Sequence, residues 1–210
     1  YIRLLGRSED VREEEIIKCL KELRDNHWSL ENKVSIVNTE GRKYIASAMI
    51  GVEGDIKLRS IIDEDKEKLL KLANEEVTRK NSLTNKKIGQ ETHDKWFSES
   101  MNNKNRVILM ICDKTNLIIG QIRFDRDVNK GIIETDISVQ KSLRGYGVAT
   151  AAIKKGTKHV RKIWGTCLPI YAQILKHNIG SKKAFEKAGF TRVEYRQDNN
   201  EVEWYKYELH

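Results

Sequence analysis

Glu134 and Asp136 stand two residues apart in an alternating run, ETDISV, that ends at Val139. That spacing puts both carboxylates on one face of a strand. Either could take a proton from an incoming nucleophile, directly or through water. A few residues on, Arg144, Gly145, Tyr146, Gly147, Val148 and Ala149 lead from this strand into a run that reads as a helix start. Two glycines let the backbone approach a ligand closely and adopt unusual dihedrals. The first helical turn then offers unpaired N–H donors to negative charge. Strand, glycine turn and helix start together describe a phosphate site. Farther along, Asn178 precedes a second helical run, Gly180 to Ala188, that carries Ser181, Ala184 and Phe185 and ends before Gly189 and Phe190.

The surrounding elements follow from periodicity. Before residue 55, residues 1–6 read as a strand, Val11 to Asn26 as a helix, Leu30 as the start of a short helix, and Arg42 to Ile50 as another helix. From Asp55 onward, Ile56 to Ile61 is an alternating strand, and Asp63, Glu64 and Asp65 suit a helix start. Thr78 to Gln90 reads as loop with some helix, and Thr92 to Met101 as helix. Arg106 to Cys112, Leu117 to Asp125 and Gly131 to Val139 form an antiparallel strand series. Gly147 to Val160 is a helix, Ile170 to Leu175 a strand, and Gly180 to Ala188 a helix ended by Gly189. Thr191 to Gln197 and Glu203 to Leu209 close as a hairpin. The expected class is α+β, a sandwich-like fold with one mixed sheet, in two units, 1–54 and 55–210.

Composition narrows the function classes. The 210 residues carry a formal net charge of +8, which suits an anionic cofactor or substrate. No zinc finger, basic arm or aromatic-interleaved basic strand marks a nucleic-acid module. No run approaches a membrane span, and no secretory signal is present. The three cysteines, Cys19, Cys112 and Cys167, lie far apart in apolar surroundings and read as reduced thiols, hence a cytoplasmic setting. The five histidines have no ligand spacing, and no metal site is expected. Since the chain opens on Tyr1, further sequence before it is an open expectation.

Arg144-Gly145-Tyr146-Gly147-Val148-Ala149 resembles the R-x-x-G-x-G/A motif of the GCN5-related N-acetyltransferases. Asn178, Ser181, Ala184, Phe185, Gly189 and Phe190 resemble that family's second block. The resemblance covers about residues 55–210. It implies acetyl-coenzyme A as cofactor, with its pyrophosphate on the backbone amides of Arg144 to Ala149. It implies a sheet splayed between two neighbouring parallel strands, Gly131 to Val139 and Ile170 to Leu175, with the thioester in the gap. An amide at or beside Val139 would polarise the thioester carbonyl, and Asn178, Ser181 and Phe185 would line the cofactor arm. Glu134 or Asp136 would be the base, with His93 and His177 as alternatives. Many relatives have Tyr where Phe185 stands, acting as an acid for the leaving thiolate. Phe185 cannot donate a proton, so either another group does, with Tyr171 and Tyr146 as candidates, or the thiolate leaves without a dedicated acid.

Residues 1–54 resemble the C-terminal end of pseudaminic-acid-pathway nucleotide-sugar hydrolases, on the features Leu5-Gly6, the Leu20/Leu23 helix face and the Glu40-Gly41-Arg42 turn. That likeness implies fusion to a preceding hydrolase-like domain; the unit's many apolar faces separately imply packing on something outside this chain, on the next domain or, by self-association, on a second copy. Leu58 to Asp65, Glu91 to Phe97 and Gly120 to Asp125 resemble acetyltransferases of nucleotide-linked 4-amino dideoxy sugars. The expected acceptor is therefore a UDP-linked 4-amino-4,6-dideoxy sugar. Arg79, Lys80, Lys86, Lys87 and Arg123 would serve its pyrophosphate, and Trp96 or Phe97 would stack on a ring. The alternatives are a protein or peptide N-terminal acetyltransferase and a non-catalytic coenzyme-A-binding module.

Overall fold

The computed structural model describes residues 2–5, 34–37, 43–48, 56–113, 116–194 and 201–208. Their strands form two sheets. The first is antiparallel, with β1 (Ile2–Leu5), β2 (Val34–Val37) and β3 (Lys43–Ala48) in the order β1-β3-β2. Here the helix expected over 42–50 is replaced by a strand at residues 43–48, the part of it that lies within the described residues. Ala46, Ser47 and Ala48 favour helix locally, but this segment pairs along both edges. Ile45 lies opposite Leu5 on one side and Ser35 on the other. Ladder bonds on two sides override a weak helical preference. The helices expected at 11–26 and from Leu30 fall largely outside the described residues, and β2 occupies 34–37.

The second sheet carries the site. Its strands are β4 (Lys57–Ser60), β5 (Arg106–Cys112), β6 (Ile118–Asp127), β7 (Ile132–Val139), β8 (Ile170–Leu175), β9 (Thr191–Val193) and β10 (Val202–Tyr207). They run in the order β4-β5-β6-β7-β8-β10-β9. Every neighbouring pair is antiparallel except β7 and β8. The helices are α1 (Lys66–Ala73), α2 (Glu76–Lys80), α3 (Gln90–Met101), α4 (Val148–Trp164) and α5 (Ile179–Lys187). This is a mixed α+β architecture of the expected class. Helix α4 runs one turn past expectation, to Trp164, and stops where Gly165 adopts φ +56°.

Alternation sorts the sheet into two faces. One face buries Leu109, Ile122, Phe124, Ile133, Ala172 and Tyr205 under Ile153 and Val160 of α4 and Phe185 of α5. Helix α4 sits so close that a Cβ on Gly156 would lie 2.9 Å from the Phe124 ring. On the other face, Leu69 and Leu72 of α1 and Phe97 of α3 cover Met110 and Cys112. This second face also carries a polar row running across five strands. Arg106 lies opposite Asp125, Asp125 opposite Glu134, Glu134 opposite Tyr171, and Tyr171 opposite Lys206. Among the described residues, no helix is long and apolar enough to cross a membrane.

Candidate active site

The site is built where β7 and β8 part. Their registered pairs are Ile133 with Ile170, Glu134 with Tyr171, and Thr135 with Ala172. Both strands continue beyond the last of these, β7 to Val139 and β8 to Leu175. The N–H of Ile133 donates to the Pro169 carbonyl on the β8 side at 3.0 Å, whereas the Gln140 N–H donates to Ile119 on the β6 side at 2.9 Å. Strand alternation therefore aims the N–H groups of Ile137 and Val139 toward β8, in the stretch past the last registered pair. Gly120 lies opposite Val139 on β6. A Cβ there would meet the Ser138 carbonyl at 2.5 Å, so only glycine allows β6 and β7 to close up behind the gap.

Beyond Val139 the chain turns through a short 3-10 segment, Lys141–Leu143, into the glycine turn. Gly145 and Gly147 have φ of +83° and +84°, a region costly for side-chain-bearing residues. Gly147 is the N-cap of α4 and supplies no side chain to cap its first turn. The helix start thus presents backbone donors to an anion. Val148 is buried at the head of this helix, and Tyr146 packs beside it with its hydroxyl enclosed and without a hydrogen bond. The Arg144 side chain is turned away from the helix start. Its Nε donates to the Val139 carbonyl at 2.8 Å, and its Nη2 reaches Thr78 Oγ1 at 2.9 Å and Glu75 Oε2 at 3.4 Å.

Glu134 and Asp136 share the polar face, and the structure separates them. Glu134 is half-buried and accepts from Gln173 Nε2, across on β8, at 3.4 Å. Asp136 is exposed and accepts from Gln121 Nε2 of β6 at 3.3 Å. Among the described residues neither carboxylate has an ion-pair partner. Asp125, the third carboxylate of this face, bonds to Arg106 and lies 2.9 Å from Arg123 Nε. Tyr171 is 6% exposed and meets Trp204 edge-on, with ring centroids 6.2 Å apart.

The second block holds the opposite wall. Asn178 caps α5, its Oδ1 accepting from the Ser181 N–H at 3.2 Å. Thr150 of α4 donates to the Ala184 carbonyl of α5 at 3.4 Å, which brings the two sequence blocks together. Phe185 departs from expectation. It is 2% exposed and packs edge-on against Phe190, in the core beneath α4 and α5. Its apolar neighbours explain why Phe serves there.

Several secondary candidates move elsewhere. His93 of α3 is 2% exposed beside Trp96 and Phe97, and among the described residues neither of its buried ring nitrogens has a hydrogen-bond partner. Burial pushes its pKa below the usual histidine range, so it sits neutral and cannot reach an acceptor. Phe97 is core, whereas Trp96 is half-buried under the Arg106 guanidinium. His177 is exposed in the turn before α5. Arg79 is spent on the Ala73, Thr84 and Lys86 carbonyls and Ser82, and Lys80 pairs with Glu76. Cys112 is buried, which raises its thiol pKa, and Cys167 is exposed. Among the described residues no three His, Cys, Asp or Glu side chains gather as a metal site. Sequence reading missed Gln121, Gln173, Glu75 and Thr78. For Gln173 a signal existed, since it lies two residues from Tyr171 on the same strand face.

Residues 55–191 match the family described as Acetyltransferase (GNAT) domain. The chain belongs to the GNAT acetyltransferases. The fold agrees with solved structures. A domain from Methanocaldococcus jannaschii is 25% identical, with a TM-score of 0.62 over 73% of this chain and 98% of that one. Spermidine N-acetyltransferase from Vibrio cholerae, in complex with CoA and spermine, is 14% identical, with a TM-score of 0.62 over 72% and 93%. The ribosomal L7/L12 alpha-N-protein acetyltransferase RimL, in complex with coenzyme A, is 14% identical, with a TM-score of 0.63 over 77% and 98%. No curated protein matches the chain. This GNAT domain is an acetyl-coenzyme-A-dependent acetyltransferase, and the donors found here fit that cofactor: uncapped amides for a diphosphate, strand-edge N–H groups for an amide-bearing arm.

Proposed function

We propose that this GNAT domain moves an acetyl group to a primary amine presented at the polar face of the sheet, by direct attack in a ternary complex. The observation that carries the reading is the ladder between β7 and β8, whose registered pairs end at Thr135 and Ala172 while both strands run on. Acetyl-coenzyme A supplies the activated acyl group. In the proposal the amides of Gly145 to Ala149 hold its diphosphate, with Arg144 shaping the turn. Asn178 and Ser181 border its arm from α5, and Phe185 supports that wall from the core. The Val139 N–H polarises the acyl carbonyl, a preorganised donor in a water-poor gap.

Glu134 is the proposed base. Gln173 holds its carboxylate toward β8, whereas Gln121 draws Asp136 toward β6. Asp136 then acts by attracting and orienting the acceptor cation. Tyr171, opposite Glu134, is the proposed proton source for the leaving thiolate in place of Phe185.

For the acceptor, we infer the amine of a nucleotide-linked 4-amino-4,6-dideoxy sugar, supported by the sequence likeness of residues 1–54 and of segments within 58–125. Arg79, Lys80 and Arg123 are engaged within the domain, so the sugar diphosphate would fall to Lys86 and Lys87, both exposed. A second reading, a peptide N-terminal amine, is favoured by Glu134 and Asp136, which have no cation partner among the described residues and suit a cationic chain. Thiol release from acetyl-coenzyme A, with mass spectrometry of products, separates them over a panel of UDP-amino sugars, peptides and spermidine. Acetylation of the sugar alone supports the first reading. Peptide acetylation without sugar acetylation replaces it by the second.

A further inference from the structure

We propose that Glu75 and Thr78 are positioning residues for the cofactor turn, acting through Arg144 and joining it to the helices on the acceptor face. This rests on the site reading above. Arg144 precedes the two glycines, yet its guanidinium lies on elements distant in sequence: 66 residues to Thr78 and 69 to Glu75. Thr78, 9% exposed, lies within α2, and Glu75 is that helix's N-cap. The third acceptor is the Val139 carbonyl, on the very residue whose N–H points into the gap.

A guanidinium is planar, with donors at fixed angles, so three acceptors around it fix one another's positions. The helical segment it reaches is anchored on the acceptor face, since Leu69 and Leu72 of the adjoining α1 pack on Met110 and Cys112. Met110 lies opposite Gln121, and Gln121 opposite Ser138, so this packing shares a face with Glu134 and Asp136. One side chain thereby links the acceptor-side helices, the last carbonyl of β7 and the turn that receives the diphosphate. Loosening the helical end of the link loosens the turn, although neither Glu75 nor Thr78 touches the cofactor.

Titration calorimetry with coenzyme A, on the full chain, tests this. Thr78→Val and Glu75→Gln should each weaken binding about tenfold, equivalent to about 1.4 kcal/mol, with unchanged circular dichroism. Thr78→Ser keeps the hydroxyl and should restore wild-type affinity. In an Arg144→Lys background, Thr78→Val should cost little further, because the shared partner is gone. Gly147→Val reports on the site itself and should abolish binding. If Thr78→Val and Glu75→Gln bind as wild type while Gly147→Val does not, the positioning role is wrong and the site reading stands. Wild-type binding by Gly147→Val overturns both. Should Thr78→Val fail to fold, wild-type affinity in Glu75→Gln, on a half-exposed side chain, suffices to overturn the proposal.

Discussion

At the residue scale, the two carboxylates of β7 are chemically alike and differ in what holds them. Gln173 reaches Glu134 from the parallel strand, across the base of the gap, while Asp136 is held from behind. Loss of a positioned general base costs about a hundredfold to ten-thousandfold. Glu134→Gln should therefore lower kcat by about a hundredfold or more, with little change in the affinity for coenzyme A. Asp136→Asn should act mainly on the acceptor KM. Steady-state kinetics on both variants checks the assignment, and the reverse pattern would exchange the roles. His93 makes a separate prediction. Burial lowers its folded pKa below the ordinary 6.5. Its neutral form is compatible with the fold, so stability is full above pH 6.5 and falls as pH drops through the lower folded value. His93→Leu removes two enclosed, unpaired nitrogens. It should raise stability at pH 7 by about 1–3 kcal/mol and reduce the acid-side loss, both readable from urea melts between pH 4 and 8. Tyr205 behaves differently: burial beside Glu186 pushes its hydroxyl up to about 12, and that proton stays on at any working pH.

At the element scale, much of the site was legible because its signals are local. The β5 and β8 boundaries fall on Arg106–Cys112 and Ile170–Leu175 as read from apolar runs. The glycine turn was readable because positive φ demands a particular residue type, whereas the capping role of Asn178 emerges only in the structure. What the sequence hid depends on partners far along the chain. Residues 43–48 become β3 because strands on both edges recruit them. Arg144 resembles a free cation beside a phosphate turn until Glu75 and Thr78 are seen to hold it. Helix α4 carries a further consequence of packing. Gly156 looks like a weak point in a helix, and alanine would gain about 1 kcal/mol of propensity. The ring of Phe124 occupies that space, and overpacking costs about 1–3 kcal/mol. Gly156→Ala should therefore lower the thermal midpoint, by calorimetry, despite the gain in helix propensity. A raised midpoint would mean that α4 can lift off the sheet cheaply.

At the scale of the whole molecule, the described chain divides its labour between the two faces of one sheet. One face is filled by α4 and α5, and the glycine turn packs at the head of α4 against Val139 and Ile119. The other carries the polar row and meets α1 and α3 at its β5 end. In the proposed mechanism, acyl group and amine meet where the β7–β8 ladder ends, and no enzyme-bound acyl intermediate forms. Among the described cysteines, Cys112 is buried on β5, where burial raises its thiol pKa, and Cys167 lies in the link before β8, so neither stands on β7 or β8 at the end of their ladder. The most direct measurement is initial velocity with acetyl-coenzyme A and an accepted amine varied together. Direct transfer predicts intersecting double-reciprocal lines and no acetylated protein by intact mass. Parallel lines, with an acetyl group on a cysteine of the chain, would contradict the account.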